Sequence, residues 1–348
     1  MKKNSNLNIS LTALSGVAIL TFILFYLVVL TGIKLPSGED DIRNLNIPLG
    51  SNLSQVADSL VSIGVVHSKR EVTTAGKMLG AEKLIKAGRY RIKPGARLYE
   101  IFNMITSGAV EPIVVTIREG WNSRSIANEL SEKLDIDVTR FLFLLSDSVF
   151  IAEIGLATHH LEGYLFPETY HFSYEMTEAA MIKWMVALFS EKIGEEERTR
   201  AREMNMTLNE VITLASIIEG EAVHDSERPL VSSVYHNRIK QNMRLQADPT
   251  IQFLLPDGPR RLTSKDLFIK SPYNTYRHSG LPPGPIGSPG LASIRAAFWP
   301  EETDYIYFVA TGDGYHTFSE TLEQHNEAKK RLRRLREEYD REKLESTR

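Results

Sequence analysis

Cysteine is absent from the 348 residues. That absence excludes disulfide scaffolds, thiolate metal sites, iron–sulfur clusters and a cysteine nucleophile. It leaves the compartment open, because a chain without thiols is compatible with any redox environment. A dominant charge is lacking too. The 41 Lys and Arg against 44 Asp and Glu give −3, a balance that argues against a nucleic-acid-binding protein. Neither G-x-x-x-x-G-K-[ST] nor G-x-G-x-x-G occurs, so nucleotide cofactors find no cradle, and H-E-x-x-H is missing. The nine histidines are scattered, and the adjacent pair His159 and His160 would point apart on a helix or strand. No metal and no cofactor is expected. Gly287-Ser288-Pro289-Gly290 has the wrong glycine spacing for a nucleophile elbow.

Only one long hydrophobic run is present. Asn4 to Ile33 carries no charge, and Leu11 to Leu30 is dense in Leu, Val, Ile and Phe. About 20 apolar residues suffice to cross a bilayer as a helix. Lys2 and Lys3 precede the run, while Glu39, Asp40 and Asp41 follow it. The positive-inside bias then puts the N-terminus in the cytoplasm and the rest outside. The run is too long for a signal-peptide core and lacks a small-residue cleavage site. An uncleaved, single-pass anchor is expected over 9–33, after a cytoplasmic tail of residues 1–8 and before a tether over 34–45.

The remainder has ordinary globular composition, with 42% apolar and 24% charged residues. A short extended piece, a glycine turn and an amphipathic helix recur three times. The turns are at Gly50, Gly95 and Gly120, and the helices carry Leu53, Val56, Ala57 and Leu60; Leu98, Ile101, Phe102 and Ile105; and Ile126, Ala127, Leu130 and Leu134. That i, i+3, i+4 spacing buries one helix face. Two roles stay open for this region, a structural stalk and a glycan-binding module. From about residue 156 the texture changes. Met181, Trp184, Met185, Leu188 and Phe189 form a core stripe, and Thr207-Leu208-Asn209-Glu210 fits a capping box opening a helix with Gly220 as its stop. Another helix is expected over about 230–240, and a further one starts at Ser288-Pro289. Tyr305 to Ala310 and Tyr315 to Phe318 read as a hairpin around Gly312-Asp313-Gly314. The fold class is α+β. The last twenty residues, with nine basic and five acidic side chains, read as a solvated helix end.

Two features carry chemistry. Glu219 follows the apolar run Leu214-Ala215-Ser216-Ile217-Ile218 and lies on the edge of its apolar face. A carboxyl partly removed from water holds its proton more firmly, as a general acid near neutral pH must. The competing reading is a helix-end glutamate paired with an arginine such as Arg228 or Arg238. The second feature is Ser271 to Gly290, with five prolines and four glycines in twenty residues. It also carries Tyr273, Asn274, Tyr276 and Leu281. Rigid loops with rings and amides suit a carbohydrate, and a surface turn cluster has the same composition. Leu161 to Tyr170 mixes acids and aromatics around Gly163 and Pro167.

Six segments in order carry a resemblance. They are L-E-G-Y-L-F-P-E-T-Y from Leu161, L-A-S-I-I-E from Leu214, V-Y-H-N-R from Val234, R-L-Q-A-D-P-T from Arg244, S-P-Y-N-T-Y from Ser271 and G-L-P-P-G-P-I from Gly280. In these the chain resembles the membrane-anchored endolytic murein transglycosylases of bacteria, the YceG-like family, over about residues 161–325. The resemblance implies a small LysM-like βα module over 46–115, a connecting βα segment over 116–155, a catalytic α+β domain over 156–328 and a charged helical tail over 329–348. It implies that Glu219 is the catalytic acid, although Gly220 stands where the family often has Lys. The implied substrate is the peptidoglycan glycan strand, cut between N-acetylmuramic acid and N-acetylglucosamine close to the membrane, with peptidoglycan synthases as candidate partners. Glu219 alone would serve as acid and then base, and Tyr164, Gln246, Asp248, Asn274, Tyr276 and His316 would surround the sugars. Asp248 is the first candidate for a second carboxylate, and Arg238 is expected to pair with a nearby acid. A hydrolytic muramidase and a non-enzymatic wall-binding scaffold are the alternatives.

Overall fold

A computed structural model describes residues 42–93, 95–108, 112–174, 176–256 and 258–346, together with 16 and 19. The expected cytoplasmic tail, membrane anchor and most of the tether lie outside the described residues. Among the described residues no helix is long and apolar enough to cross a membrane. The chain divides into two compact units, Met1–Val114 with His171–Met176, and Val115–Tyr170 with Thr177–Arg348.

In the first unit, strand β1 (Arg43–Ile47) pairs antiparallel with β2 (Gly88–Ile92), with Arg43 opposite Ile92 and Ile47 opposite Gly88. Alternation along the strands turns Leu45, Ile47, Tyr90 and Ile92 inward. Between the strands run α1 (Leu53–Ser62) and α2 (Lys69–Met78). A capping box opens α1: Asn52 Oδ1 accepts from the Gln55 amide, and Gln55 Oε1 accepts from the Asn52 amide. Helix α3 (Leu98–Ser107) follows β2. The core is formed by the faces read from the sequence, Leu53, Val56, Ala57 and Leu60 on α1 and Leu98, Ile101, Phe102 and Ile105 on α3. Helix α2 was not expected. Its buried residues include Val72, Ala75 and Gly76, and the two small ones hide the apolar stripe. A β-carbon on Gly76 would lie 2.5 Å from Leu53 and 2.9 Å from Phe102, so smallness here lets α2 approach its neighbours.

Strand β3 (Ile113–Thr116) pairs with β4 (Thr169–Phe172), and the division between the units falls inside both strands. The second unit then holds α4 (Ser123–Lys133), α5 (Val138–Leu144), α6 (Ser148–Ile154), α7 (Glu178–Lys192), α8 (Glu195–Glu203), α9 (Leu208–Glu221), α10 (Arg228–Lys240), α11 (Asp248–Gln252) and α12 (Leu291–Phe298). A hairpin of β5 (Tyr307–Ala310) and β6 (His316–Ser319) precedes α13 (Leu322–Ser346). Helix α9 is central, with Val211 to Ile218 buried without a break. A helix buried on all sides belongs inside a fold, and α10 and α12 pack on it.

Four expectations are corrected. Gly220 does not stop α9, which runs on to Glu221 with Ala222 as its cap. A β-carbon at Gly220 would meet Pro249 at 2.6 Å, so the glycine serves a close approach to α11. Helix α12 starts at Leu291 with Gly290 as its N-cap, later than Ser288-Pro289, because Ser288 is held by backbone bonds elsewhere. Trp184 leaves the core stripe and is 39% exposed, its ring meeting Tyr170 edge-on. Strand β5 begins two residues late, at Tyr307.

Candidate active site

Glu219 sits in the last turn of α9. Its helix starts as the sequence requires: Thr207 Oγ1 accepts from the Glu210 amide and Glu210 Oε2 accepts from the Thr207 amide. The Glu219 side chain is 8% exposed, and both oxygens are held. Oε1 lies 3.2 Å from Arg228 Nη1, and Oε2 accepts the Gly290 amide at 2.9 Å. Arg228 is itself buried, with Nε donating to Asp225 at 2.9 Å and Nη1 donating to Ser293. The salt-bridge alternative and the site reading therefore meet in one arrangement. A carboxyl that gives up its proton here leaves an anion already faced by a guanidinium and an amide N–H.

The Pro/Gly loop closes over this carboxyl. Ser216 Oγ accepts the Ile286 amide at 3.0 Å. Gly120 N–H donates to the Ser288 carbonyl, and Ser288 N–H donates to the Trp121 carbonyl, each at 2.8 Å. The third glycine turn thus docks on the loop. Gly120 has φ +76, which only glycine adopts without strain, and a β-carbon there would lie 3.6 Å from Glu219 Cγ. At Gly287 a β-carbon would strike the Gly120 carbonyl at 2.6 Å. Glycine at 120, 287 and 290 lets three backbone segments converge on one side chain.

A cleft of about 700 Å³ is lined by Gly120, Ser216, Gly220, Glu221, Asp248 and Gln252 among others, so the two residues after Glu219 border it although Glu219 itself does not. Glu221 accepts from the Tyr235 hydroxyl at 2.9 Å, and burial pushes its carboxyl up to about 7. Asp248 is exposed and accepts from the Tyr276 hydroxyl at 2.5 Å. Burial, together with that bond, raises the Tyr276 phenol.

Of the residues expected around a sugar, Asp248 lines the cleft, Tyr276 touches Asp248, and Gln246 is exposed on the turn before it at φ 49. The others are satisfied within the protein. Tyr164 is buried, its ring 5.0 Å from Phe189 and its hydroxyl on Asn209. Asn274 is fully buried and braces the loop, donating to the Leu267 and Ile269 carbonyls and accepting from the Tyr276 amide. His316 gives its backbone N–H and Nδ1 to Glu227, each at 2.9 Å. Among the described residues Arg238 forms no ion pair with an acid, contrary to expectation. It donates to the Ile306 and Leu245 carbonyls. No group of three or more potential metal ligands occurs among the described residues.

Sequence reasoning missed Glu119, whose carboxylate lies against Gly290, the residue whose amide holds Glu219. The signal was there: the first two glycine turns have Leu49 and Pro94 before the glycine, and the third has an acid. Glu162 was read only as part of an aromatic loop. It is 6% exposed, its oxygens accept from the Ser123 amide at 2.9 Å and hydroxyl at 2.6 Å, and burial pushes its carboxyl up to about 7. The unfolded chain loses that proton near 4.5. Stability carried by this group is therefore complete below pH 4.5 and declines as pH rises to about 7. Glu162→Gln is expected to remove the decline. Unfolding free energies from urea titrations at pH 5 and pH 8 should show a loss smaller by about 2 kcal/mol in the variant. An unchanged loss rejects the assignment.

The fold and site define an α+β protein built around a helix-end carboxylate, an arginine and a glycine-rich lid of backbone. The pattern of the YceG-like family matches residues 45–331. The endolytic murein transglycosylase of Bacillus subtilis (strain 168) is 34% identical over 304 residues, covering 83% of this chain and 84% of that one. That of Streptococcus pneumoniae is 27% identical over 314 residues, covering 81% of this chain and 57% of that longer one. The 2.6 Å crystal structure of a YceG-like protein from Listeria monocytogenes, 32% identical, superposes with a TM-score of 0.59 over 82% of this chain and 98% of that one. The chain belongs to the YceG-like family.

Proposed function

We propose that this protein is an endolytic lytic transglycosylase that cuts the bond between N-acetylmuramic acid and N-acetylglucosamine in peptidoglycan. The observation that carries the reading is Glu219, a buried helix-end carboxyl whose two oxygens face Arg228 and the Gly290 amide, and whose next two residues, Gly220 and Glu221, border an open cleft. Protonated Glu219 gives its proton to the glycosidic oxygen, and the anion left behind is met by those two donors. The muramyl C6 hydroxyl attacks C1, forming a 1,6-anhydro ring without water. In the one-carboxylate form of the reaction Glu219 also collects the C6 proton. The attacking group belongs to the substrate, so the protein must hold the sugar bent and keep water out. The rigid 280–290 loop suits that task.

The anchor over 9–33 places the enzyme in the cytoplasmic membrane, its N-terminus inside and residues 34 onward outside. Strands within reach are then the nascent ones, and cutting them ends their elongation. Residues 46–115 act as a LysM-like module that binds or orients glycan, and wall synthases are the partners this placement favours. The test is product chemistry. The full-length protein in detergent, incubated with purified peptidoglycan, is expected to release anhydromuramyl ends, read by mass spectrometry. Ordinary reducing ends mean a hydrolytic muramidase, and binding without cleavage means a scaffold.

A further inference from the structure

A reaction that moves a proton off one oxygen and onto another is served by two carboxyls in unlike surroundings. The structure holds such a pair. Glu219 is buried, with both oxygens engaged. Glu119 is exposed, and neither of its oxygens has a hydrogen bond among the described residues. One glycine separates them. The Gly290 amide holds Glu219, and the Glu119 carboxylate lies against the Gly290 Cα, where any β-carbon would collide with it. The turn that carries Glu119 is fixed by the paired bonds between Gly120, Trp121 and Ser288. Gly120 next to it lines the same cleft as Gly220 and Glu221, the two residues after Glu219. Asp248, the other candidate for a second carboxylate, faces Tyr276 instead.

We propose that Glu119 is the base that collects the muramyl C6 proton, so that the two carboxyls divide the work assigned above to one. The proposal rests on the transglycosylase reading. Glu219 transfers its proton to the glycosidic oxygen, the C1–O bond breaks, and N-acetylglucosamine leaves as the alcohol. The C6 oxygen bonds to C1 while its proton passes to Glu119. The proton then returns from Glu119 to Glu219 and the site is reset, with no water and no co-reactant consumed. The neighbours favour this direction. Partial burial and the adjacent Glu219 charge raise the Glu119 carboxyl's hold on a proton, Arg228 opposes them, and Asp225 adds to the rise. Glu119 is thus a stronger base once Glu219 has become an anion.

The experiment measures anhydromuramyl ends released by the full-length protein in detergent, by Glu119→Gln and by Glu119→Ala with and without added formate. Glu119→Gln is expected to lower kcat by at least about 100-fold with little change in KM. Formate, a carboxylate small enough for the space left by Glu119→Ala, is expected to restore at least about tenfold of that variant's loss. Anhydro ends from parent and Glu119→Gln at similar rates overturn the role of Glu119 alone. So does a rise in KM with kcat unchanged, or a lost kcat that formate does not restore, which marks a structural part. If the parent releases reducing ends only, or none, the transglycosylase reading fails and the C6 role falls with it.

Discussion

Glu219→Gln is expected to lower the release of anhydromuramyl ends by about a thousandfold, within the range that a positioned general acid supplies. The fold should survive, because the amide oxygen can still accept one donor and Arg228 keeps Asp225 and Ser293. Thermal melting should therefore move little while turnover collapses. A variant that keeps more than about a tenth of parent turnover would remove Glu219 from the proton path, since even the weakest general acids contribute about 100-fold.

Arg228→Met should do the opposite, costing stability first. It strips the guanidinium from a carboxyl whose side chain is 8% exposed and leaves the Gly290 amide as its one remaining donor among the described residues. Breaking a buried pair from one side costs about 3–5 kcal/mol, because the orphaned charge stays buried. Adding Glu219→Gln to Arg228→Met should recover part of that loss, by about 1–3 kcal/mol, since the second change removes the orphan. Urea unfolding followed by tryptophan fluorescence is well suited to this cycle. The three tryptophans, Trp121, Trp184 and Trp299, all lie in the second unit. Strict additivity of the two single effects would mean that the pair contributes no coupling.

Much of this was legible locally. The capping box at Thr207 and the apolar faces of α1 and α3 are short-range patterns, and each formed where the spacing put it. The resemblance of six ordered segments singled out Glu219, while charge alone offered Arg228 and Arg238 equally as partners in the competing reading, and only Arg228 pairs with it. What stayed hidden depends on contacts between distant segments. Gly220 looked like a helix stop because glycine commonly is one, yet its reason is Pro249, which no local pattern announces. Tyr164 and Asn274 had the side chains of sugar binders and became braces, because their bonding partners lay within reach inside the fold. Glu119 was passed over because it precedes its glycine in a turn that repeats twice without an acid.

The convergence of residues 119–121, 216–219 and 286–290 on one carboxyl also has a temporal side. The bonds joining Gly120 to Ser288 and Glu219 to Gly290 close long stretches of chain, and such long-range closures come late in folding. Helix α9 can form early from its own sequence, but Glu219 meets Gly290 only when the chain beyond it has been made and brought back. The carboxyl therefore gains its Gly290 donor only after the chain has been made at least to residue 290.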